Sequence, residues 1–434
     1  MTKKTHSDTA QCDIAIAGGG LVGLTLALLL ARETPHLRVT ILDPSGLHEN
    51  EQTKAVDNRT TALSNGTAKL FKALGIWPLI TPFATPIHNV DVSDKGHAGR
   101  TFYPDARSHE QQFTDNTLGY VVQNHGLGQV LLSQVRAAES VTLLPYSVTG
   151  FTPKTRGAMV HYQNRSASLS LLTQCLVVAD GAQSSLRDTL GIRTSHHDYQ
   201  QHAIITTLTH SKPHLGTAYE RFTPQGPMAL LPFGGHIHAR QSALVWTRPK
   251  AVFQTAFNLP DEALLAQIQQ QFGYRLGVFE QVESRHHYPL HLVLAKEQVR
   301  SSLVILGNAA HFLHPVAGQG FNLSVRDCAA LVATFTAASE HKTALGAMSV
   351  LARYQTQQAR DQQATVQISD KFIQLFSHSS SAVQLMRNAG LLALQKAPSI
   401  QSAFFSLMMG QGFTRPVLTC EREYHRALSQ QVNS

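Results

Sequence analysis

The sequence is poor in charge. Only 15% of its 434 residues are Asp, Glu, Lys or Arg, against roughly 25% in typical soluble domains. A surface so thinly charged suits apolar contact with a lipid-like ligand, a membrane face or a partner. Cysteine is scarce as well. Cys12, Cys175, Cys328 and Cys420 stand far apart with no Cys-x-x-Cys pair. That spacing excludes a disulfide framework and a zinc ribbon and reads as reduced thiols of a cytoplasmic protein. No dense basic run accompanies the net charge of +8, so nucleic acid is not an expected partner. The mild excess fits cofactor phosphates or an anionic membrane surface. The histidines number 23, yet pairs such as His196–His197 and His286–His287 have no third partner at metal-ligand spacing. No metal site is expected. Internal repeats and low-complexity tracts are also missing, and the length suits two or three domains rather than one small core.

One stretch imitates a membrane segment. Residues 14–31 carry no charge, and Lys3 and Lys4 precede them, as in a signal peptide or a spanning helix. Asp13 abuts the run, however, and Gly18, Gly19 and Gly20 interrupt it. A glycine trio breaks a continuous helix. The pattern predicts instead a buried strand over 12–17, a tight turn and an apolar helix over 24–31. A second strand follows over 37–42 and ends at Asp43. Gly18-x-Gly20-x-x-Gly23 opens the helix, and Asp43 lies 20 residues after Gly23. This is the dinucleotide fingerprint in its full context. Gly18 permits the turn, Gly20 lets backbone approach a pyrophosphate, and Gly23 lets helix and sheet pack closely. The helix N-terminus offers unpaired N–H groups, and Asp43 can accept from a ribose.

Two further motifs repeat the theme. Residues 175–179 read as a strand running into Asp180-Gly181, with Ser184 and Ser185 as helix caps before Arg187. Residues 303–306 read as a buried strand entering a loop with Gly307, Asn308, His311, His314, Pro315, Gly318, Gln319, Gly320 and Asn322. A helix from Leu323 to about residue 334 follows. Such a loop presents backbone N–H groups at a helix start, where the anionic part of a cofactor can sit.

The three motifs in this order resemble the group A FAD-dependent aromatic hydroxylases, the family of p-hydroxybenzoate hydroxylase, over roughly residues 12–376. Finer features resemble the bacterial ubiquinone-biosynthesis branch that hydroxylates 2-polyprenyl-6-methoxyphenol. They are the stretch from Asp57 through Arg59 to Ser64, the stretch 92–99 with Asp94, Gly96 and His97, and Tyr219-Glu220-Arg221-Phe222 before Gly226 and Pro227. The resemblance implies that the first motif binds the ADP half of FAD and that Arg59 lies near its ribose and phosphates. Asp180 and Gly181 would hold the pyrophosphate and help admit NAD(P)H. Gly307, Asn308, Pro315, Gly318, Gln319, Gly320 and Asn322 would hold the ribityl chain and flavin. Asn308 departs from the family, which usually has aspartate there. Asparagine still donates and accepts, so FAD binding survives with a different local charge. For His97 a satisfied loop histidine is the expected role.

The expected fold is α/β with an α+β insert. A discontinuous Rossmann-like FAD-binding domain covers 8–82, 106–186 and 286–360. A substrate-binding sheet domain covers 83–105 and 187–285, and a helical region covers 361–434. In that tail Ile368, Phe372, Leu375 and Phe376 share one face, as do Ile400, Phe404, Leu407 and Met408. Such stripes are expected to face the core. The competing reading is a peripheral inner-membrane or complex contact near Phe404, Phe405, Met408, Met409 and Arg415.

The resemblance also implies the cycle: a phenol binds, NAD(P)H reduces FAD, O2 adds to give a flavin hydroperoxide, and the ring is hydroxylated. The branch points to NADPH, and no second Gly-x-Gly-x-x-Gly provides a separate nicotinamide domain. The apolar Pro315, Val316 and Ala317 suit a dry flavin face. His311, His314 and Tyr219 are candidate proton acceptors, with structural roles equally open for the histidines. The alternatives are a paralogous ubiquinone-pathway hydroxylase acting at another ring position, an isoprenoid flavin reductase, and an inert FAD scaffold.

Overall fold

The computed structural model describes residues 10–45, 59–97, 99–104, 117–163, 168–314, 318–377, 389–390, 392–408 and 415–432. Val316 and Ala317, like Pro315, lie outside the described residues, as do Asp57 and Met409.

The fold is α/β with an α+β portion. A six-stranded sheet has the order Val299–Arg300, Leu303–Ile305, Cys175–Val178, Ile14–Ala17, Val39–Leu42, Val141–Leu144. Its strands are parallel except for the antiparallel pair at the Val299–Arg300 edge. Each of the three central strands is a wholly apolar buried run, as expected where both faces are covered. The helix Leu21–Glu33 covers one face and buries Leu24, Leu26, Leu29 and Leu30. The helix Gln319–Glu340 packs beside it, and Leu331 and Phe335 join the same core. All four cysteines are buried and unpaired.

A larger sheet of mainly antiparallel strands forms the second layer system. Its order is His311–Phe312, His286–Ala295, Thr194–His210, Gln241–Pro249, Met228–Phe233, Thr217–Phe222, Asn89–Asp94, Arg100–Tyr103. The strand Phe279–Val282 also pairs with Thr194–His210, so the sheet draws strands from residues 89–103, from 194–249 and from 279–312, and several chain crossings join it to the six-stranded sheet. Alternation along its strands divides two faces. Ile204, Met228, Leu230, Leu244 and Trp246 pack against the helix Asp261–Phe272 through Leu264, Ile268 and Phe272. The opposite face carries Val90, Val92, Ala218, Phe222 and Leu231, and it meets Ile87, Leu118, Val121 and Phe405. A three-stranded sheet of Thr60–Ser64, Gly119–Gln123 and Ala84–Ile87 lies between the two systems.

The tail is helical, with Met348–Ser377, Pro398–Met408 and Thr419–Val432. The apolar stripes are placed differently from the expectation. In Pro398–Met408 the buried positions are Gln401 and Phe405, while Ile400 is 64% exposed. Gln401 donates to Thr101 Oγ1 at 2.7 Å, and Phe405 stacks on Tyr103 with centroids 4.6 Å apart. A polar anchor and one aromatic partner thus set the helix rotation, not the apolar count. In Met348–Ser377 the buried line is Asp361, Thr365, Ser369 and Ile373, with Ile368 half-buried beside it. A buried ion pair explains the polar line: Arg326 reaches Asp361 with bonds of 2.6 and 2.9 Å. The side chains of Phe372, Leu375, Phe376, Leu407 and Met408 are outside the described set.

Candidate flavin-binding site

The three glycine motifs begin at the carboxyl ends of three adjacent parallel strands: Ile14–Ala17, Cys175–Val178 and Leu303–Ile305. In open α/β sheets that edge is where ligands bind. Gly18 takes φ +111°, and a Cβ there would meet Ala179 O at 2.4 Å. A Cβ on Gly23 would meet Gly18 O at 2.0 Å. Both glycines are therefore required by packing of the chain on itself. Gly20 differs: it is the N-cap of Leu21–Glu33, makes no side-chain cap bond, and has nothing within 4 Å of where its Cβ would be. Open space thus fronts a helix start with bare N–H groups. Asp43 steadies this loop, accepting from Gly19 N at 2.6 Å and from Ser45 N at 2.7 Å.

The second motif adds Asp180 and Gly181. Gly181 takes φ +97° and also faces open space. Asp180 Oδ1 is buried with no hydrogen-bond partner among the described residues. Burial raises its carboxyl pKa despite the Ser184 hydroxyl beside it. An orphaned acceptor is costly, and a hydroxyl or N–H donor on a bound group would satisfy it. Arg187 links the second motif to the third by donating to Ala309 O at 3.1 Å.

In the third motif Gly307 takes φ +64° against Val22, and Asn308 is exposed. Gly318 takes the left-handed φ +61° and caps Gln319–Glu340 without a side-chain bond. A Cβ on Gly318 would press Ala62 Cβ at 2.8 Å, whereas Gly320 faces open space and Gln319 is buried. Asn322 is fully engaged. It donates to Ala62 O and Gly318 O and accepts from Ser64 N and Thr67 Oγ1, each at 2.8 Å. Its side chain fastens the loop to the strand Thr60–Ser64. Arg59, just before that strand, lies 5.5 Å above the Tyr288 ring of the large sheet. Pro315 lies outside the described residues.

These features fit a dinucleotide cofactor: two long helices with uncapped N-termini, glycines opening onto free space, and an unsatisfied buried acceptor between them. The FAD binding domain family model matches residues 11–369. The chain belongs to the FAD-binding-domain family. Among relatives in that family, it is 32% identical to "Ubiquinone hydroxylase UbiL" of Rhodospirillum rubrum, over 94% of this chain and 91% of the relative. It is 29% identical to "3-demethoxyubiquinol 3-hydroxylase" of Escherichia coli, over 92% of this chain and 98% of the relative. In fold it is similar to p-nitrophenol 4-monooxygenase PnpA from Pseudomonas putida DLL-E4, with a TM-score of 0.74 at 15% identity, covering 94% of this chain and 100% of that one.

The candidate proton acceptors separate. His311 is buried and its Nε2 lies 2.6 Å from Asp327 Oδ2, which anchors it to the helix Gln319–Glu340. Asp327 Oδ1 also accepts from Gln358 at 2.7 Å. His314 is buried beside the Tyr199 ring, and burial pushes its imidazole down to about 3. It therefore stays neutral at neutral pH and is a weak base. Tyr219 is on the helix-bearing face of the large sheet, edge-on to Phe272 and under Arg275. That face carries an open cleft of about 460 Å³ whose walls include Arg100, Arg221, Arg275 and His97.

From the sequence, Glu220 is named only within the stretch Tyr219-Glu220-Arg221-Phe222, with no role of its own. Tyr219 and Arg221 contact the helix Asp261–Phe272, Arg221 through Gln271 O at 2.8 Å. Ala218 and Phe222 pack on the opposite face. Glu220 therefore projects onto the face that meets the strand Gly119–Gln123, which is paired in turn with Thr60–Ser64. A charged residue alternating among apolar ones, on a strand buried on both sides, was the available signal.

Proposed function

We propose that this protein is an FAD-dependent hydroxylase of a polyprenylated phenol in aerobic ubiquinone biosynthesis, with NAD(P)H, NADPH by preference, and O2 as co-substrates. The observation that carries the reading is the convergence of three glycine turns at the ends of adjacent parallel strands, opposite an apolar sheet face. FAD would be held by Gly18, Gly20 and Gly23 with the N-terminus of Leu21–Glu33, by Asp43 and Arg59, by Asp180 and Gly181, and by 307–322. When bound, reduced FAD activates O2 for transfer of one oxygen atom to the ring.

The chain's own residues position and dry the reaction. Gly318 and Gly320 let backbone come close to the cofactor, and Asn322 holds that loop against Ala62. Val90, Val92, Ala218, Ala229 and Leu231 give the facing sheet an apolar lining that excludes water. An isoprenoid gains about 0.8 kcal/mol per buried methylene, so such a lining also favours a prenylated ring over a bare one. We assign the FAD-binding part to 8–82, 106–186 and 286–360 and the substrate part chiefly to 83–105 and 187–285. Strands on both sides of residue 286 build the large sheet. The tail is proposed to touch the inner membrane or a biosynthetic assembly peripherally. Among the described residues no helix is long and apolar enough to cross a membrane. Leu392, Ile400 and Val417 are nonetheless exposed there.

The test is the mass of the quinone intermediate that accumulates when the gene is removed. A 2-polyprenylphenol carrying one methoxy group supports 2-polyprenyl-6-methoxyphenol as the substrate. Accumulation of a later ring intermediate supports a second reading, hydroxylation at another position. The relative named as a 3-demethoxyubiquinol 3-hydroxylase favours keeping it. A purified chain that is colourless and cannot be loaded with FAD overturns both.

A further inference from the structure

Glu220 is anomalous for a structural residue. It lies mid-strand in Thr217–Phe222, flanked across the sheet by Val92 and Ala229. On its face the neighbours along the strand are Ala218 and Phe222, packed with Val121, Tyr103 and Phe405. Among the described residues no hydrogen bond or ion pair reaches its carboxylate, although the nearby Asp91 is held by Arg100 and Arg275 on the other face. A carboxylate enclosed without a partner is strongly disfavoured. Glu220 is nevertheless only partly buried by surface area, while its burial pushes the carboxyl up to about 7. Its accessible surface lies on the sheet face that meets the strand Gly119–Gln123.

That face is linked to the third glycine motif through the three-stranded sheet. Gly318 touches Ala62, Ala62 pairs with Val121, and Val121 packs on Ala218, two residues from Glu220. Tyr288, opposite Ala203 on the same face of the sheet, sits under Arg59.

We propose that Glu220 is the residue that accepts the phenolic proton of the substrate. Its carboxylate receives the hydroxyl's hydrogen bond in the complex. As the ring is attacked and the hydroxyl becomes acidic, the O–H electron pair stays on the ring oxygen and the proton bonds to a Glu220 oxygen. The resulting neutral acid returns that proton to solvent between turnovers. The assignment rests on the phenol-hydroxylating reading above. It is separate from His311, which Asp327 holds, and from Tyr219, which faces the other way.

The test uses the FAD-loaded full chain, with 2-geranylphenol and its O-methyl ether as probes. Binding is read from perturbation of flavin absorbance and turnover from product formed per NADPH. In the wild type, kcat/KM should rise as pH passes about 7, since the ionised form of the free enzyme is the base. Glu220→Gln should keep its FAD and melting temperature, lower kcat on the order of 10²–10³-fold and abolish that pH limb. It should also lose a roughly tenfold preference for the phenol over the ether. Glu220→Asp should restore the limb at reduced kcat. If Glu220→Gln does not fold, infrared difference spectra of the wild type take its place. A protonated-carboxyl band near neutral pH should vanish on adding the phenol but not the ether, and its persistence overturns the proposal. Unchanged kcat, pH profile and phenol preference in Glu220→Gln overturn the role of Glu220 alone. No response of the wild type to 2-geranylphenol overturns the substrate reading and this proposal with it.

Discussion

At the nucleotide loop, Gly20 and Gly23 look alike in the sequence but answer to different constraints. Gly23 is fixed by the protein itself, because a Cβ would sit 2.0 Å from Gly18 O. Gly20 has φ −74° and open space, so the apo chain accepts alanine there. Gly23→Ala is expected to cost about 1–3 kcal/mol of stability and to lose flavin as a consequence. Gly20→Ala should leave the apo melting temperature nearly unchanged, within about 0.5 kcal/mol, and still weaken FAD binding roughly tenfold or more. Thermal melts of apoprotein beside flavin-release titrations check the pair, and equal behaviour of the two variants would contradict the assignment. The spacing of these glycines was readable because turn, helix and acid follow in a fixed order. The orphaned Asp180 Oδ1 was not, since burial and partner depend on residues distant in the chain.

Among the elements, the helix Pro398–Met408 shows how a polar bond can override an apolar stripe. Its sequence offers Ile400 and Phe404 as an inward face, yet Gln401 bonds to Thr101 and rotates Phe405 onto Tyr103. Phe405 shares a core with Val92 and Phe222, next to Glu220. Phe405→Ala should cost about 3–5 kcal/mol, measured as a lower melting temperature with faster proteolysis after residue 390. Ile400→Ala, at an exposed position, should change little. The pair Arg326–Asp361 acts similarly between the helices Gln319–Glu340 and Met348–Ser377, both partners being buried. Asp361→Ala leaves the guanidinium buried without its carboxylate and should destabilise by about 3–5 kcal/mol, seen in the same melts. A periodicity count does not register such pairs, because each partner reads as a surface charge on its own helix.

For the whole molecule, buried histidines and buried carboxyls set opposing pH responses. His214 is pushed down to about 4 and His314 to about 3, in both cases by burial. Between these values and the ordinary 6.5 the unfolded chain binds protons that the folded chain does not, so stability present above pH 6.5 is lost as pH falls. Glu220, raised to about 7, works the other way, since below that value the folded chain takes the proton first. Burial also lowers His202 and His210 and raises Asp180, so four histidines oppose two carboxyls and the net effect is a loss of stability between roughly pH 6 and 5. The melting temperature should therefore fall over that interval, and a flat profile would contradict the burial of these histidines. The same scale governs membrane contact. Ile400→Glu should reduce cosedimentation with vesicles of anionic phospholipid without lowering the melting temperature, and unchanged sedimentation would count against a tail contact.

The sequence by itself determined the α/β class, the three glycine turns and the family. These features are local: glycine positions, strand hydrophobicity and helix starts are written within some thirty residues of one another. Only the tertiary structure decided which helix faces are buried, that Asn322 clasps Ala62 and Ser64, and that Glu220 stands without a partner among the described residues. Those properties belong to pairs of residues up to 300 positions apart. The cost of burying a polar group depends on what the rest of the chain brings to it.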